Sequence, residues 1–211
     1  MIIAVAFVLA YLIGSIPTAV WYGKTFHKID IRQHGSGNAG ATNTFRVLGK
    51  KAGSFVMAVD VVKGCTAASL PNLFTQDILV NNNLALTQIL LGLCAVLGHV
   101  FPLFAQFKGG KGVASLLGMT IAIHPYAAFG SLLVFLIILV FTHYVSLGSM
   151  LAALVFPLIV RIPFLHSVEE QTLSIYGFCV FLLLVATHIK NIKRLISGTE
   201  SKIYLLKKAS N

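Results

Sequence analysis

Apolar residues run in long unbroken stretches along this chain, without the alternation of a half-buried strand or the stripe of an amphipathic surface helix. Crossing a membrane takes roughly 17 to 25 such residues. Stretches of that kind lie at 1–22, 52–70, 84–107 and 173–189, with a shorter one at 147–160. Residues 112–144 are also apolar, but as one helix they would be about 50 Å long, well beyond the roughly 30 Å hydrocarbon core. His124-Pro125 near the middle marks the expected break, because proline disfavours helix at itself and at the residue before it. The pattern predicts an all-α integral membrane bundle of seven transmembrane helices, some short. No repeat, low-complexity segment or linker divides it, so residues 1–211 are expected to form one domain.

Composition agrees: 57% of residues are apolar and 10% charged, with a mean hydropathy of +0.87, outside the range of ordinary soluble domains. The start Met1-Ile2-Ile3-Ala4 lacks the cationic region of a cleaved signal peptide, so the first stretch is expected to be a retained span. Cys65, Cys94 and Cys179 lie in apolar runs with no partner at ligand spacing. Neither a disulfide framework nor a metal site is expected, and no cofactor.

The net charge of +10 is concentrated in a few connections. Residues 24–51 and the tail from Lys190 each carry +5, and Lys108 and Lys111 add two more. With seven spans all of these fall on one side, giving +12 against −2 for the loops holding Asp77, Arg161, Glu169 and Glu170. With six spans the tail would fall on the other face and the asymmetry would largely vanish. The positive-inside rule therefore selects seven, with the N-terminus outside and the tail and cationic loops cytoplasmic. The charge is matched to the membrane surface, and no nucleic acid partner is expected.

Three polar segments on that side can carry chemistry. The first is Gly35-Ser36-Gly37-Asn38-Ala39-Gly40, followed by Ala41-Thr42-Asn43-Thr44-Phe45-Arg46. It satisfies GxGxxG literally, but no buried strand precedes it and a span follows, which excludes a dinucleotide fold. What remains is glycine backbone able to converge on an anion, next to a helix expected to start near Asn38, with Asn43 and Arg46 on one face. A flexible linker with a helix cap is the plain alternative. The second is Gly98-His99-Val100-Phe101-Pro102 with Phe107-Lys108-Gly109-Gly110-Lys111-Gly112. It departs from a Walker A loop at Ala105 and Gly112. Its lysines suit either a phosphate or a headgroup anchor, and the paired glycines favour the phosphate.

The third comprises Thr142 to Ser149 and the late His188-Ile189-Lys190-Asn191, whose His188 and Asn191 share a helical face. Asp60 and Lys63, three apart within a span, are expected to neutralise each other and brace the site. His99, His124 and Met119 read as packing, and Phe101, Phe104 and Phe107 as lipid or helix contacts.

The runs GSGNAGATNTFR, GHVFPLFAQFKGGKGV, YVSLGS and HIKN, in that order over nearly the whole chain, resemble the bacterial PlsY family of acyl-phosphate:glycerol-3-phosphate acyltransferases. The resemblance implies a multi-pass inner-membrane enzyme that moves a fatty acyl group from acyl phosphate to the 1-hydroxyl of sn-glycerol 3-phosphate. Lysophosphatidic acid and phosphate are its implied products, membrane lipids its surroundings, and an acyl-phosphate-producing enzyme its functional partner. By motif, Ser36, Gly37, Asn38, Ala39, Gly40, Thr42 and Asn43 are implied to bind acyl phosphate, with Lys108. Arg46, Lys111, Ser149, His188 and Asn191 are implied to be catalytic and to bind the acceptor, with Ser146 the alternative serine.

Acyl phosphate is already an activated mixed anhydride, so no covalent enzyme intermediate is needed and positioning with charge stabilisation suffices. No His is followed five positions later by Asp, so the HxxxxD base of other glycerolipid acyltransferases is missing. A substrate phosphate oxygen is the expected proton acceptor, with His188 the alternative. The rival class, a small transporter or channel for a phosphorylated anion, would place its site near the midplane on repeated halves; here the motifs collect at one end. A structural membrane subunit would leave the glycine segments unexplained.

Overall fold

The structure, a computed structural model, describes residues 2–73, 79–80, 83–162 and 170–203. Among these it is all-helical, as an uninterrupted apolar chain must be where no water can satisfy backbone N–H and C=O groups. The helices are α1 Ile2–Gly14, α2 Thr18–His27, α3 Ala41–Ser69, α4 Leu84–Val100, α5 Val113–Ile123, α6 Pro125–Thr142, α7 Val145–Val160, α8 Glu170–Thr187 and α9 Ile189–Ile196. Among the described residues five apolar stretches are long enough to cross a membrane: Ile2–His27, Ala41–Leu73, Leu84–Ala105, Pro125–Thr142 and Glu170–Thr187. Val113–Ile123 and Val145–Val160 are shorter apolar helices. The break expected at His124-Pro125 is present: α5 ends at Ile123 and α6 starts at Pro125.

Two boundaries differ from the sequence expectation. The first stretch is two helices, interrupted at residues 15–17, where Pro17 precedes α2. The second begins at Ala41, not near Asn38 and not at residue 52. Gly49, at φ 84° and ψ −177°, kinks α3 and joins a short polar helix to the membrane stretch. The expected loop of residues 24–51 is therefore partly helical.

The chain forms two compact units, Met1–Pro125 and Tyr126–Asn211. In the first, α3 packs on α5 and α1 on α4 through reciprocal small residues. A Cβ on Gly14 would overlap the Ala95 backbone and one on Gly98 the Tyr11 carbonyl; Gly64 meets Ser115 and Gly118 meets Val61 in the same way. Close backbone approach is how helices gain contact where lipid supplies no hydrophobic drive. In the second unit α7 packs on α8, with Phe156 edge-on to Tyr176 at 5.7 Å and Gly177 making room for the Phe156 ring. Large apolar side chains such as Phe129, Phe141, Leu158 and Phe178 point outward, as a lipid-facing surface requires.

Candidate functional site

The first polar segment is a built loop. Ile31 and Ala39 are buried with Ala19, Val20 and Val56, which pins both ends of the loop to α2 and α3. Asp30 accepts from Nε, Nη2 and the backbone amide of Arg32, and lies 3.6 Å from Lys24. The Arg32 guanidinium, outweighing partial burial, holds the Asp30 carboxyl well below the usual carboxylate range. Arg32 Nη1 also donates to the Ala105 carbonyl at 3.0 Å, tying this loop to the second segment.

Inside the loop, Asn43 is 1% exposed, and its carboxamide is committed to backbone: Oδ1 accepts from Ser36 N, and Nδ2 donates to the Ile31 and His34 carbonyls. The Gly37 amide donates to His34 O. By contrast, among the described residues no acceptor meets the five amides of residues 38–42. They run into the start of α3, where Gly40 has no side chain to cap the helix. Such a row of N–H groups at a positive helix end is suited to an anion. Ala39 contributes backbone here, its methyl being core. Thr44 Oγ1 turns back to Gly40 O, Thr42 is half-buried, and Ser36 and Arg46 are exposed.

The second segment has another logic than its sequence suggested. Gly109 N donates to Val100 O and Gly110 N to His99 O, so the paired glycines spend their amides on the end of α4. A Cβ on Gly109 would overlap the His99 carbonyl and one on Gly110 the His99 ring. Their absence of side chains thus serves close packing, and beside them Lys108 is exposed and Lys111 half-buried. Phe101, Phe104 and Phe107 are exposed at its edge, with Phe104 6.3 Å from Trp21. Asp60 and Lys63 are buried and paired at 2.8 Å, as expected of two charges in one span, and Lys63 also donates to Ile16 O.

In the second unit the serine brought to Asn191 is Ser146. Both donate to Glu200 Oε1, at 2.8 and 2.6 Å, while Arg194 Nε donates to Oε2 at 2.6 Å. Ser149, the first choice from sequence, is buried and donates to Val145 O within its own helix. His188 is buried, with Nδ1 2.8 Å from Leu184 O. A carbonyl only accepts, so Nδ1 carries the hydrogen and in the neutral ring Nε2 keeps the lone pair. Glu200 was counted in the sequence only as a charge. Burial opposes its ionisation, but donors from Asn191, Arg194 and Ser146 prevail and hold its carboxyl below the usual range. The Ile203 amide donates to His143 O, and Lys202 stands over the Tyr144 ring, so the tail closes over the start of α7.

A loop whose amides lack acceptors among the described residues, at the start of a membrane helix, has the character of an anion site in a membrane protein. The family model for glycerol-3-phosphate acyltransferases matches residues 4–198. A glycerol-3-phosphate acyltransferase of Enterococcus faecalis is 43% identical over 206 residues, 95% of this chain and 92% of that one. Another, of Chlorobaculum tepidum, is 44% identical over 93% of this chain and 94% of its own. Crystal structures of PlsY, an integral membrane glycerol 3-phosphate acyltransferase, superpose in a glycerol 3-phosphate form at TM-score 0.80 and a lysophosphatidic acid form at 0.81. Each is 34% identical and covers 98% of this chain, over 98% and 97% of its own length. The chain belongs to the glycerol-3-phosphate acyltransferase family. It is a multi-pass membrane enzyme, an acyltransferase of phospholipid synthesis.

Proposed function

We propose that the acyl donor is an acyl phosphate, made by a partner enzyme, and that the acyl group goes to the 1-hydroxyl of sn-glycerol 3-phosphate. Lysophosphatidic acid and inorganic phosphate leave. The observation that carries this is the row of amides at residues 38–42, without internal acceptors, at the uncapped start of α3. With Ser36, Thr42 and Arg46 nearby in sequence, it suits the phosphate of the donor. Asn43 and Gly37 shape this loop from within.

Lys111, with Lys108 outside it, supplies positive charge for a phosphate and for the negative charge that develops on the carbonyl oxygen and departing phosphate. Ser146 or Ser149, His188 and Asn191 belong to the acceptor. The leaving group is already activated, so orientation and charge stabilisation are sufficient and the enzyme forms no covalent intermediate. A phosphate oxygen of a bound substrate takes the hydroxyl proton, and His188 orients glycerol 3-phosphate. One catalytic domain over 1–211 fits a family match that runs through both units.

Purified protein given acyl phosphate and glycerol 3-phosphate should release phosphate only when both are present. Arg46→Ala and Lys111→Ala should each lower kcat/KM at least about a hundredfold, the order of about 2 to 4 kcal/mol for a charge acting in the transition state. Acyl transfer from a thioester but not from acyl phosphate would overturn the donor assignment. Either variant keeping half its activity at matched protein would remove that residue from the site.

A further inference from the structure

His99 is 6% exposed near the end of α4 and has no part in the roles above. Its ring nitrogens face two different parts of the first unit. Nδ1 has no hydrogen-bond partner among the described residues and stands 3.7 Å from Asp60 Oδ1, longer than a hydrogen bond but within reach of the carboxylate charge. The Nε2 edge lies against Gly110, where a Cβ would overlap it; that same Cβ would stand 3.1 Å from Ala39 O. The Gly110 amide meanwhile donates to the His99 carbonyl at 3.1 Å.

Asp60 is itself fixed, receiving Lys63 Nζ at 2.8 Å and Thr18 Oγ1 at 3.2 Å, while Lys63 reaches the Ile16 carbonyl at the α1–α2 break. A line of contacts therefore runs from that break through Asp60 and the imidazole to Gly110. Gly110 stands beside Lys111 in sequence and beside Ala39, toward the first end of the amide row, in space. A side chain serving only to fill this volume would be aliphatic, because a buried polar atom without a partner costs free energy. A flat ring with one edge toward a carboxylate and the other against a glycine backbone fixes a distance instead.

We propose that His99 is a positioning residue for acyl transfer: its ring, set by Asp60 on one edge, is the spacer that fixes where Gly110 and Lys111 stand against the Ala39 end of the amide row. This rests on the assignment of Lys111 to a substrate phosphate.

The test is a double-mutant cycle between positions 99 and 110, read as KM for glycerol 3-phosphate, kcat and Tm. Gly110→Ala pushes a methyl into the ring and should raise KM at least about tenfold, with kcat changed less and Tm lowered by the overpacking. His99→Asn keeps a short donor toward Asp60 but withdraws the far ring edge, and should also raise KM. In the double variant the methyl enters the space the ring has left, so KM should fall below that of Gly110→Ala alone by about fivefold. Independent effects that simply multiply would overturn the proposal, as would losses in kcat and Tm at unchanged KM. Should His99→Asn not fold, Gly110→Ala decides: an unchanged KM there sinks the spacer. Failure of the functional reading is distinct, because wild type would then release no phosphate from acyl phosphate. Calorimetric binding of glycerol 3-phosphate then supplies the same comparison as Kd.

Discussion

Gly37 and Gly40 stand three residues apart in the first loop and answer to different constraints. Gly37 has φ +72°, a conformation in which an L side chain is strained, and its Cβ would stand 3.3 Å from the Arg32 carbonyl. Gly40 sits at φ −130° and ψ 169°, open to any residue, and its Cβ would meet only the movable Asn38 Oδ1 at 3.0 Å. Gly37→Ala should therefore lower stability by about 1 to 2 kcal/mol, with activity falling in step. Gly40→Ala should leave Tm near wild type yet raise the donor KM, because its methyl crowds the start of α3 where the anion is to bind. Thermal unfolding and donor titration of both variants check this. A Gly40→Ala enzyme with normal KM would free that helix start from the site. These distinctions are invisible in the string GSGNAG, since the loop's shape is held by residues beyond that string, with Asn43 bonding Ser36 N, Ile31 O and His34 O.

At the scale of elements, the tail shows how one carboxylate gathers donors, here Ser146, Asn191 and Arg194. Because Glu200 is held below its ordinary value, it contributes stability that is fully present above the unfolded glutamate range, about 4.3. That contribution is lost as pH falls through the lowered value in the folded state. Glu200→Gln should thus cost stability at neutral pH and loosen Ser146 and Asn191, raising the acceptor KM. The difference in Tm between wild type and variant should shrink steadily on acidification. Asp30, also lowered, falls in both proteins and so drops out of the comparison. A Tm difference independent of pH would deny Glu200 this role. Such clusters escape sequence reading because one Glu among cations counts only as a charge, whereas the break at His124-Pro125 was legible since proline acts locally. The start of α3 was missed for the opposite reason: the kink at Gly49 lets a polar helix join an apolar one. The glycine crossings of α1 with α4 and α3 with α5 depend on which backbones meet.

For the whole molecule the open quantity is how many helices cross. Among the described residues five stretches have the length and composition to do so, but α5 has 11 residues and α7 has 16. At about 1.5 Å per residue they reach about 16 and 24 Å, short of a core of about 30 Å. Each crosses only if flanking polar segments dip inward or the bilayer thins around it. The charge distribution argues that both do or neither does. With seven crossings the +5 connection of residues 24–51, Lys108, Lys111 and the +5 tail share one face, whereas losing one crossing puts the tail opposite the first connection. Single cysteines in a background without Cys65, Cys94 and Cys179 should label Ser36, Gly110 and Ser201 from the cytoplasm and Pro125 from outside. Asn82 and Glu169, which lie outside the described residues, should also label from outside. The pair Gly110 and Pro125 reports on α5 alone: the same side for both means that α5 dips and returns. The span count then becomes even unless α7 fails to cross as well, and Ser201 measured against Ser36 tells those two outcomes apart.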